Sequence, residues 1–541
     1  MSSLVSLMSK RIFILLPFFV FGGFLIAYTT ISAQIPVDGD GGFHAGVVEY
    51  IAKNGTLTDV HPYVLVDRYE HLPLFYPKLF YVEMASLFTL LGDTTLKAVV
   101  PTIGIFIAIF IFLVSRRIST SKAVPIITSL VALSSFGLIT NSVDMFRMET
   151  MVILLGLASI YCFYMFTQVR SLNWFVCSVI FLAACISTKQ QAYIILPIFP
   201  IIAINKLHTA FKTKLFYTII LFFFSFLLAA PILTNQFLGT GTLFYPGVPF
   251  INSIERLTTS ALDIIGHETG EGWKRYAFES DRGQNLKIKF SNPANHLSFL
   301  NPFSTLTTKP FSAGINILLI LGCFILIMKG NLFIVIFLVI QQLLLHKFPI
   351  ERYYILSQIL ASMIIGVSFE FFFRFQKLKF INALILSFIL IGVISSTVYT
   401  LSSSSSIPDY SYGRHYPNRL KATIESGRWL EKNSPKNATV ITPRAYLDSY
   451  YAKRDSLWLN QLGGEEIYEA FLNNDVNKIY TISKSYPSSY ILLPEFWIVN
   501  GSADGMWIPF IERETVNKIK ERNDYFEPVY DDGLVSIFKV K

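Results

Sequence analysis

The residues best suited to chemistry lie in one glycine-rich stretch near the N-terminus, IPVDGDGGFHAGVVEY. It holds two carboxylates, Asp38 and Asp40, and runs into a helix-like segment that carries His44 and Glu49. A carboxylate can act as a general base, and carboxylate and imidazole groups together can bind a divalent cation. Because the stretch directly follows a long apolar run, the sequence predicts an active site at a membrane surface. A divalent cation at Asp38, Asp40 and His44 is an open alternative.

The composition is that of a membrane protein. Of 541 residues, 52% are hydrophobic and 15% are charged, whereas a soluble domain has about 25% charged residues. The formal net charge is +9, but much of the Lys and Arg lies in short loops between apolar runs, where basic residues set membrane orientation. We therefore expect no nucleic-acid partner. The four cysteines all fall inside apolar runs, so no disulfide framework is predicted.

The first apolar run, residues 12–33, follows Lys10 and Arg11 and has no A-x-A cleavage site. It predicts an uncleaved spanning helix with the N-terminus in the cytoplasm and Asp38 outside. Counting every later apolar run as a crossing would place basic loops such as 205–214 outside. The conflict disappears if 72–92 is a membrane-surface helix within the first external loop. The sequence then predicts about eleven spans.

This topology gathers other ionisable residues on the external face. Glu149 lies in NSVDMFRMET, Lys189 in STKQQ and Arg352 in HKFPIERYY. Ionisable groups at membrane depth are expensive to bury and are commonly functional, although each taken alone could be a snorkelling interfacial charge. Acids at this face could serve as a general base, while Lys and Arg could hold a phosphate.

Taken in order, these elements resemble the GT-C superfamily of integral membrane glycosyltransferases. The closest likeness is to the family 39 type, which includes protein O-mannosyltransferases and the bacterial lipid A aminoarabinose transferase. The resemblance rests on a first span, an external aspartate, and a glycine ten residues after an alanine, here Gly55 and Ala45. It implies that Asp40 is the catalytic aspartate, with Gly41 where the family has Glu and His44 where it has Tyr.

Later segments extend the resemblance. YEHLPLFYP (69–77) is similar to the family's aromatic-Glu-Lys-Pro-Pro-Leu element, with a histidine in place of the donor-binding lysine. STKQQAYIILP and ERYYILS are similar to later donor-site segments of the family. Members of the family use a polyprenyl-phosphate sugar as donor on the outer or lumenal membrane face. The resemblance therefore implies that four residues bind the donor phosphate: Lys189, Arg352, Lys78 and His71.

The composition changes sharply after Leu401. SSSSSIPDYSYG is typical of a linker, and the pattern beyond it alternates helix-like and strand-like runs. Such alternation predicts a small α/β layer domain with a mostly parallel sheet, to which we assign acceptor recognition or scaffolding. The predicted strands are 438–443, 478–483 and 489–494.

The predicted fold class is an α-helical polytopic membrane protein, GT-C-like, with a C-terminal extracytoplasmic α/β domain. The predicted domains are a transmembrane GT-C-like catalytic domain (1–401, with external loops 34–95 and 238–311), a linker (402–418) and the α/β domain (419–541).

The predicted activity is the inverting transfer of a hexosyl or pentosyl group from a polyprenyl phosphate to an extracytoplasmic lipid, polysaccharide or protein. Asp40 is the expected base, with Glu149 and Asp38 as further candidates. A transporter would be expected to show an internal repeat, which we do not find. An oligosaccharyltransferase would be expected to carry a Trp-Trp-Asp-Tyr-Gly signature, which the sequence lacks. A membrane transporter and a non-catalytic cell-envelope assembly protein are the alternatives.

Overall fold

A largely helical bundle is followed by an α/β layer. The computed structural model describes residues 39–66, 71–74, 76–121, 123–133, 135, 138, 146, 148–240, 309–345, 355–373, 417–459, 464–500 and 511–541. The predicted combination of a mainly helical part and a C-terminal α/β domain is confirmed, while the number of spans stays a prediction. The helices of the first part are α1 (Gly39–Asn54), α2 (Leu79–Leu91), α3 (Thr94–Ile118), α4 (Ala123–Leu133), α5 (Glu149–Val169), α6 (Leu172–Ile186), α7 (Ile198–Lys206), α8 (Phe211–Thr240), α9 (Lys309–Met328), α10 (Leu332–Leu345) and α11 (Ile355–Phe373).

Among the described residues, three helices are long and apolar enough to cross a membrane. They are Thr94–Ile118, Glu149–Val169 and Phe211–Leu238, and they coincide with apolar runs of the sequence. At 1.5 Å per residue, the 25 residues of α3 extend about 37 Å, against a hydrocarbon core of about 30 Å. Several other helices are apolar but shorter.

Small and hydroxylated residues let the helices approach closely. Ser159 of α5 and Ser178 of α6 each donate to the other's backbone carbonyl, at 2.8 and 3.0 Å. A Cβ added to Gly322 of α9 would lie 2.0 Å from the Ile364 carbonyl oxygen of α11. Such contacts between small residues are typical of helix packing in membranes, where burial from water cannot drive association.

The α/β layer is a seven-stranded mixed sheet with helices packed against it. The elements of this layer are β1 (Val60–Leu65), β2 (His71–Pro73), α12 (Pro417–Asn433), β3 (Thr439–Thr442), α13 (Ala445–Ala452), β4 (Asp455–Trp458), α14 (Glu465–Leu472), α15 (Val476–Ser485), β5 (Tyr490–Pro494), α16 (Arg513–Glu521), β8 (Phe526–Asp531) and β9 (Val535–Val540), with a separate pair, β6 (Ile498–Val499) and β7 (Ile511–Glu512).

The strand order of the seven-stranded sheet is β2-β1-β4-β3-β5-β9-β8. Its centre, β1-β4-β3-β5, is parallel, and β2, β9 and β8 are added antiparallel. The expected mostly parallel sheet is therefore correct only for the centre.

One predicted strand is wrong. Residues 478–483 belong to helix α15, whereas the strands expected at 438–443 and 489–494 are confirmed as β3 and β5. The Asp475 side chain caps α15 by accepting from the Lys478 backbone N–H at 3.0 Å. Val476, Ile479 and Ser483 then lie buried on one helical face. The β-branched residues of this segment favour a strand by composition, but its buried residues recur every three to four positions, which is the period of a helix.

The sheet also constrains the topology. Strand β1 comes from loop 34–95 and pairs in parallel with β4 of the C-terminal segment, with Leu65 opposite Leu457. Strands of one sheet lie on one side of a membrane, so an even number of crossings separates them. The predicted apolar runs give an even number only if 72–92 is not a crossing. Helix α2, with 13 residues, is about 20 Å long and is also too short to span.

Three basic loops meet at the opposite end of the bundle. Lys206 Nζ donates to the Gly330 carbonyl at 2.7 Å, and Lys329 Nζ donates to the Ile118 carbonyl at 3.3 Å. The loops after α3, α7 and α9 therefore share one side, as the charge pattern predicted. The two ends of the bundle are thus distinct: one carries these loops, and the other carries the sheet.

Candidate functional site

Helix α1 carries the predicted base into the region between bundle and sheet. Asp40 lies in its first turn, and nothing further is described of its side chain. The helix contains four glycines, so its intrinsic stability is low, and burial must hold it in place. Phe43, Ala45 and Val48 are buried in a cluster that also includes Tyr450 of α13. Tertiary packing on both sides thus fixes the helix that carries Asp40.

An aromatic side chain connects α1 to a buried lysine. His44 lies one turn after Asp40, is buried, and its Nδ1 is 3.0 Å from the Tyr81 hydroxyl. Its ring centroid is 5.5 Å from that of Tyr76. The Nζ of Lys189 lies 4.9 Å from the centroid of the same Tyr76 ring, in a cation–π contact. One tyrosine therefore separates the first turns of α1 from Lys189.

Lys189 is held by Glu149. Its Nζ donates to Glu149 Oε1 at 2.8 Å, and the two side chains are only 7% and 2% exposed. Lys189 occupies the break between α6 and the 3-10 helix Gln190–Ile195, and Glu149 is the first residue of α5. A carboxylate is favoured at a helix N-terminus. Protonating Glu149 would leave Lys189 buried without its counter-ion, so this pairing favours Asp40 over Glu149 as the base.

Lys78 lies beside this pair but has another partner. The Leu79 backbone N–H donates to the Ser187 carbonyl at 3.2 Å, which sets the Lys78 and Lys189 segments side by side. The buried Lys78 ammonium forms an ion pair with Asp59, whose side chain is 57% exposed. Lys78 is thus near the predicted phosphate site, and it would have to leave Asp59 to bind a phosphate.

His71 lies on the edge strand β2 of the sheet. Its Nδ1 donates to the His61 carbonyl at 2.9 Å. Among the residues that the structure describes, no contact joins His71 to Lys189. Its role as a donor ligand therefore stays a prediction, and its described contact is with the sheet.

His61 is a buried neutral histidine at the centre of this region. The Tyr63 backbone N–H donates to its Nδ1 at 3.2 Å, so Nε2 carries the proton and donates to the Phe43 carbonyl of α1, also at 3.2 Å. Burial lowers the pKa of His61 to about 3. Both ring nitrogens are satisfied in the neutral form, which makes His61 a fixed link between α1 and β1.

The remaining predictions fall partly outside the described residues. Asp38 and Arg352 lie outside them. For a divalent cation, His44 is the only predicted ligand whose side chain is described, and its Nδ1 is already engaged by Tyr81. Within the described ranges, no cluster of three His, Cys, Asp or Glu residues could hold a metal. The cation stays a prediction from the sequence.

Sequence reasoning missed Tyr76 and Tyr81. Both lie in or just after the quoted segment YEHLPLFYP, and their rings contact His44. The spacing of aromatic residues around Lys78 is the sequence feature that could have identified them. The same spacing is also ordinary for aromatic residues at a membrane interface, so it does not by itself indicate a site.

The fold matches those of solved membrane glycosyltransferases. The archaeal oligosaccharyltransferase AglB from Archaeoglobus fulgidus, in complex with an inhibitory peptide and a dolichol-phosphate, aligns with a TM-score of 0.60 at 10% identity, covering 90% of this chain and 70% of its own. The A. fulgidus oligosaccharyltransferase complex with Zn and sulfate gives 0.59 at 11% identity, covering 88% and 68%. ArnT from Cupriavidus metallidurans bound to undecaprenyl phosphate gives 0.56 at 10% identity, covering 98% of each chain.

No protein-family model and no curated protein sequence matches the chain. At identities near one in ten, these structures establish the fold, and the resemblance to the GT-C superfamily is confirmed at that level. A fold can support several activities, so the function must be argued from the site.

Proposed function

We propose that the protein is a glycosyltransferase that moves a sugar from a polyprenyl phosphate to an acceptor on the face of the membrane that carries the sheet. The observation that carries this proposal is the Tyr76 ring, which lies against both His44 of α1 and the ammonium of Lys189. It brings the helix of the predicted base within one side chain of a predicted phosphate ligand. The similar structures bind dolichol-phosphate and undecaprenyl phosphate, the donor class that this arrangement suits.

In the proposed reaction, an acceptor hydroxyl or amine attacks the anomeric carbon of the donor. A bond forms from the acceptor atom to that carbon, and the bond from the carbon to the phosphate oxygen breaks. Asp40 takes the acceptor proton, and the polyprenyl phosphate leaves with the bonding electron pair. Attack opposite the leaving group inverts the anomeric centre. Asp38 is the alternative base.

Lys189 has the principal electrostatic role. As the phosphate leaves, its negative charge grows, and a preorganised ammonium in a water-poor site stabilises that charge. Glu149 holds Lys189 in place rather than acting on the acceptor. Arg352 and Lys78 are proposed as further phosphate ligands, with Lys78 exchanging Asp59 for the phosphate. The proposal places the site and the α/β layer outside the cytoplasm, with N-terminus and basic loops inside.

The acceptor is the least constrained part of the proposal. The relatives of known structure include one complex with an inhibitory peptide, and a lipid, a polysaccharide or a protein would each supply the required nucleophile. The carboxyl ends of β3 and β4 lie beside α1, because Phe43 and Trp458 both pack on Tyr446. We propose that the acceptor approaches over this edge of the sheet.

The test is sugar transfer from radiolabelled polyprenyl-phosphate sugars by membranes that contain the wild-type chain, Asp40→Asn or Asp38→Asn at matched expression. We expect transfer by the wild type and its loss in Asp40→Asn alone. Asp524→Asn serves as the matched control, since it removes a carboxylate of the α/β layer whose side chain is 59% exposed and whose ion-pair partner is Arg522. Loss in Asp38→Asn alone would move the base to Asp38. A wild type that transfers none of a broad donor panel would instead favour a transporter or an assembly protein.

A further inference from the structure

Helix α1 lies directly on helix α13 of the C-terminal segment. A Cβ added to Gly42 would lie 2.8 Å from the Tyr446 carbonyl oxygen and 2.9 Å from Leu447 Cα. Both are backbone atoms, so a side chain at position 42 could be accommodated only by moving one helix away from the other. The Phe43 ring packs edge-on against Tyr446, with centroids 5.0 Å apart. The contact lies two residues from Asp40.

An ion pair fixes the other end of the same helix. Glu49 accepts from Lys453 at 2.5 Å, and it also accepts from Lys53, one turn along α1, at 2.5 Å. Burial raises the pKa of Glu49, but the two lysines outweigh it and the pKa is lowered. Lys453 has a positive φ of 51° and caps the end of α13. Its Nζ lies 4.0 Å from the centroid of the Tyr450 ring. The ammonium is thus part of the helix contact.

The sheet adds a third connection. β1 follows α1 and pairs with β4, which follows α13. His61 of β1 donates to the Phe43 carbonyl of α1. Each of the two helix–strand units therefore contacts the other through both its helix and its strand.

We propose that the C-terminal segment positions the catalytic aspartate, with Gly42, Glu49 and Lys453 as positioning residues. The inference rests on the proposed function. The first turn of α1 is rich in glycine, so its own backbone does not determine its orientation. Packing against the rigid surface of α13 determines that orientation. A shift of about 1 Å in a catalytic group can lower a rate by about 10²-fold. Residues some 400 positions from Asp40 thereby determine how well it acts.

Two glycines of α1 provide a matched test. Gly42→Ala and Gly46→Ala both raise helix propensity. The nearest atoms to a Cβ at Gly46 belong to the rings of His61 and Tyr63, at ordinary contact distances of 3.5 and 3.7 Å. We expect Gly42→Ala to lower kcat by about 10- to 100-fold with the KM for the donor within about 2-fold. Gly46→Ala should keep both within about 2-fold. Equal kcat in the two variants would overturn the proposal.

The two lysine partners of Glu49 provide a second test, which can be carried out even if Gly42→Ala folds poorly. Lys453→Met removes the connection to α13, whereas Lys53→Met removes an equal charge from a side chain that is 61% exposed. We expect kcat to fall about 10-fold in Lys453→Met only, and to recover in part when Glu49→Lys and Lys453→Glu are combined. A similar kcat in both single variants, or no recovery in the exchanged pair, would contradict the proposal.

A readout independent of transfer separates this inference from the proposed function. Amide hydrogen exchange of the full chain in detergent should be faster over 43–48 in Gly42→Ala than in Gly46→Ala. If the wild type transfers no sugar but this difference appears, the proposed function fails and the positioning of α1 stands. If exchange is equal in the two variants, positioning fails, even where the wild type is active.

Discussion

Two buried Lys–Glu pairs lie at opposite ends of the helical bundle. At the site end, Lys189 donates to Glu149 at 2.8 Å; at the far end, Lys329 donates to Glu370 at 2.5 Å. Both glutamates are only 2% exposed. The pairs have the same chemistry and similar burial, but they differ in what surrounds them.

The far-end pair is enclosed by partners. Lys329 also donates to the Ile118 carbonyl, and Glu370 accepts from the backbone N–H and hydroxyl of Thr120 and from the Ser119 hydroxyl at 3.3 Å. Lys189 has three N–H donors, and within the described part of the chain it makes one hydrogen bond, to Glu149. Lys329 is thus a satisfied structural group, whereas the described contacts of Lys189 leave N–H donors that the proposed phosphate could accept from. Under the proposed function, the two pairs are therefore distinguished by the hydrogen-bonding capacity that each lysine retains, not by burial.

The largest effect is expected from Lys189→Met. It should lower sugar transfer by about 10²- to 10³-fold, because it removes an ammonium that stabilises the charge of the departing phosphate. The rate should be measured per folded molecule, with Lys329→Met as the control that removes an equivalent lysine. A similar loss of rate in Lys329→Met would erase the distinction between the two ends.

Lys329→Met should act on stability instead. Removing one partner leaves Glu370 buried and unpaired, so we expect the free energy of unfolding to fall by about 3 kcal/mol. Replacing both partners in Lys329→Met/Glu370→Met should recover most of that loss, since no charge stays buried. Denaturant unfolding in detergent measures both quantities. A double variant as unstable as the single one would show that hydrogen bonds to Thr120, not the ion pair, dominate this end.

A pH effect of intermediate size is expected from His61. Its pKa is lowered to about 3 in the folded protein, against about 6.5 in the unfolded chain. Below pH 6.5 the unfolded state therefore binds a proton that the folded state does not, so stability falls as the pH drops from 6.5 towards 3 and is unaffected above 6.5. At pH 5 the loss is about 2 kcal/mol.

His61→Gln should remove this part of the pH dependence. Glutamine can accept from the Tyr63 N–H and donate to the Phe43 carbonyl without titrating. The measurement is the free energy of unfolding at pH 7.5 and pH 5 for both proteins. An unchanged difference between the two pH values would assign the effect to other groups.

The smallest effect is expected from an exposed pair of the same chemistry. Lys518 and Glu514 of α16 lie 2.7 Å apart, with side chains 42% and 65% exposed. Lys518→Met should change the free energy of unfolding by less than about 0.5 kcal/mol, and any effect should vanish in high salt. A change above 1 kcal/mol would mean that the distance between the charged groups, rather than their burial, determines how much such a pair stabilises the protein.

Most of the bundle could be predicted from the sequence because hydrophobic runs determine spans directly. The runs at 96–115, 148–167 and 215–237 each became a long helix. The charge pattern also predicts that 72–92 does not cross, and the pairing of β1 with β4 in one sheet agrees with that prediction. The separate apolar runs at 173–187 and 190–204 also predicted the break at Lys189. They did not predict that the second run begins as the 3-10 helix Gln190–Ile195, since a 3-10 helix has no hydrophobic period of its own.

The site was predicted as separate residues rather than as an arrangement. Lys189 and Glu149 were both predicted as site residues. Their 2.8 Å contact joins residues 40 positions apart, and the local sequence around each residue does not indicate such a contact. Tyr76 was missed because its role depends on neighbours from two other elements. Strand β1 was missed because its partner β4 lies in the C-terminal segment, so its pairing is invisible within loop 34–95.

That pairing has a consequence for biosynthesis. Leu65 and its neighbour Leu457 are separated by about 390 residues, and a ribosome adding about 5–20 residues per second needs roughly 20 to 80 s to make that length. Throughout this interval the edge of β1 that later pairs with β4 is unpaired, while the helices between the two strands are still being made. Truncated or stalled chains would display that edge permanently, and an open strand edge is a template for aggregation. Strand β4, made about 390 residues after β1, is thus the element that covers this edge.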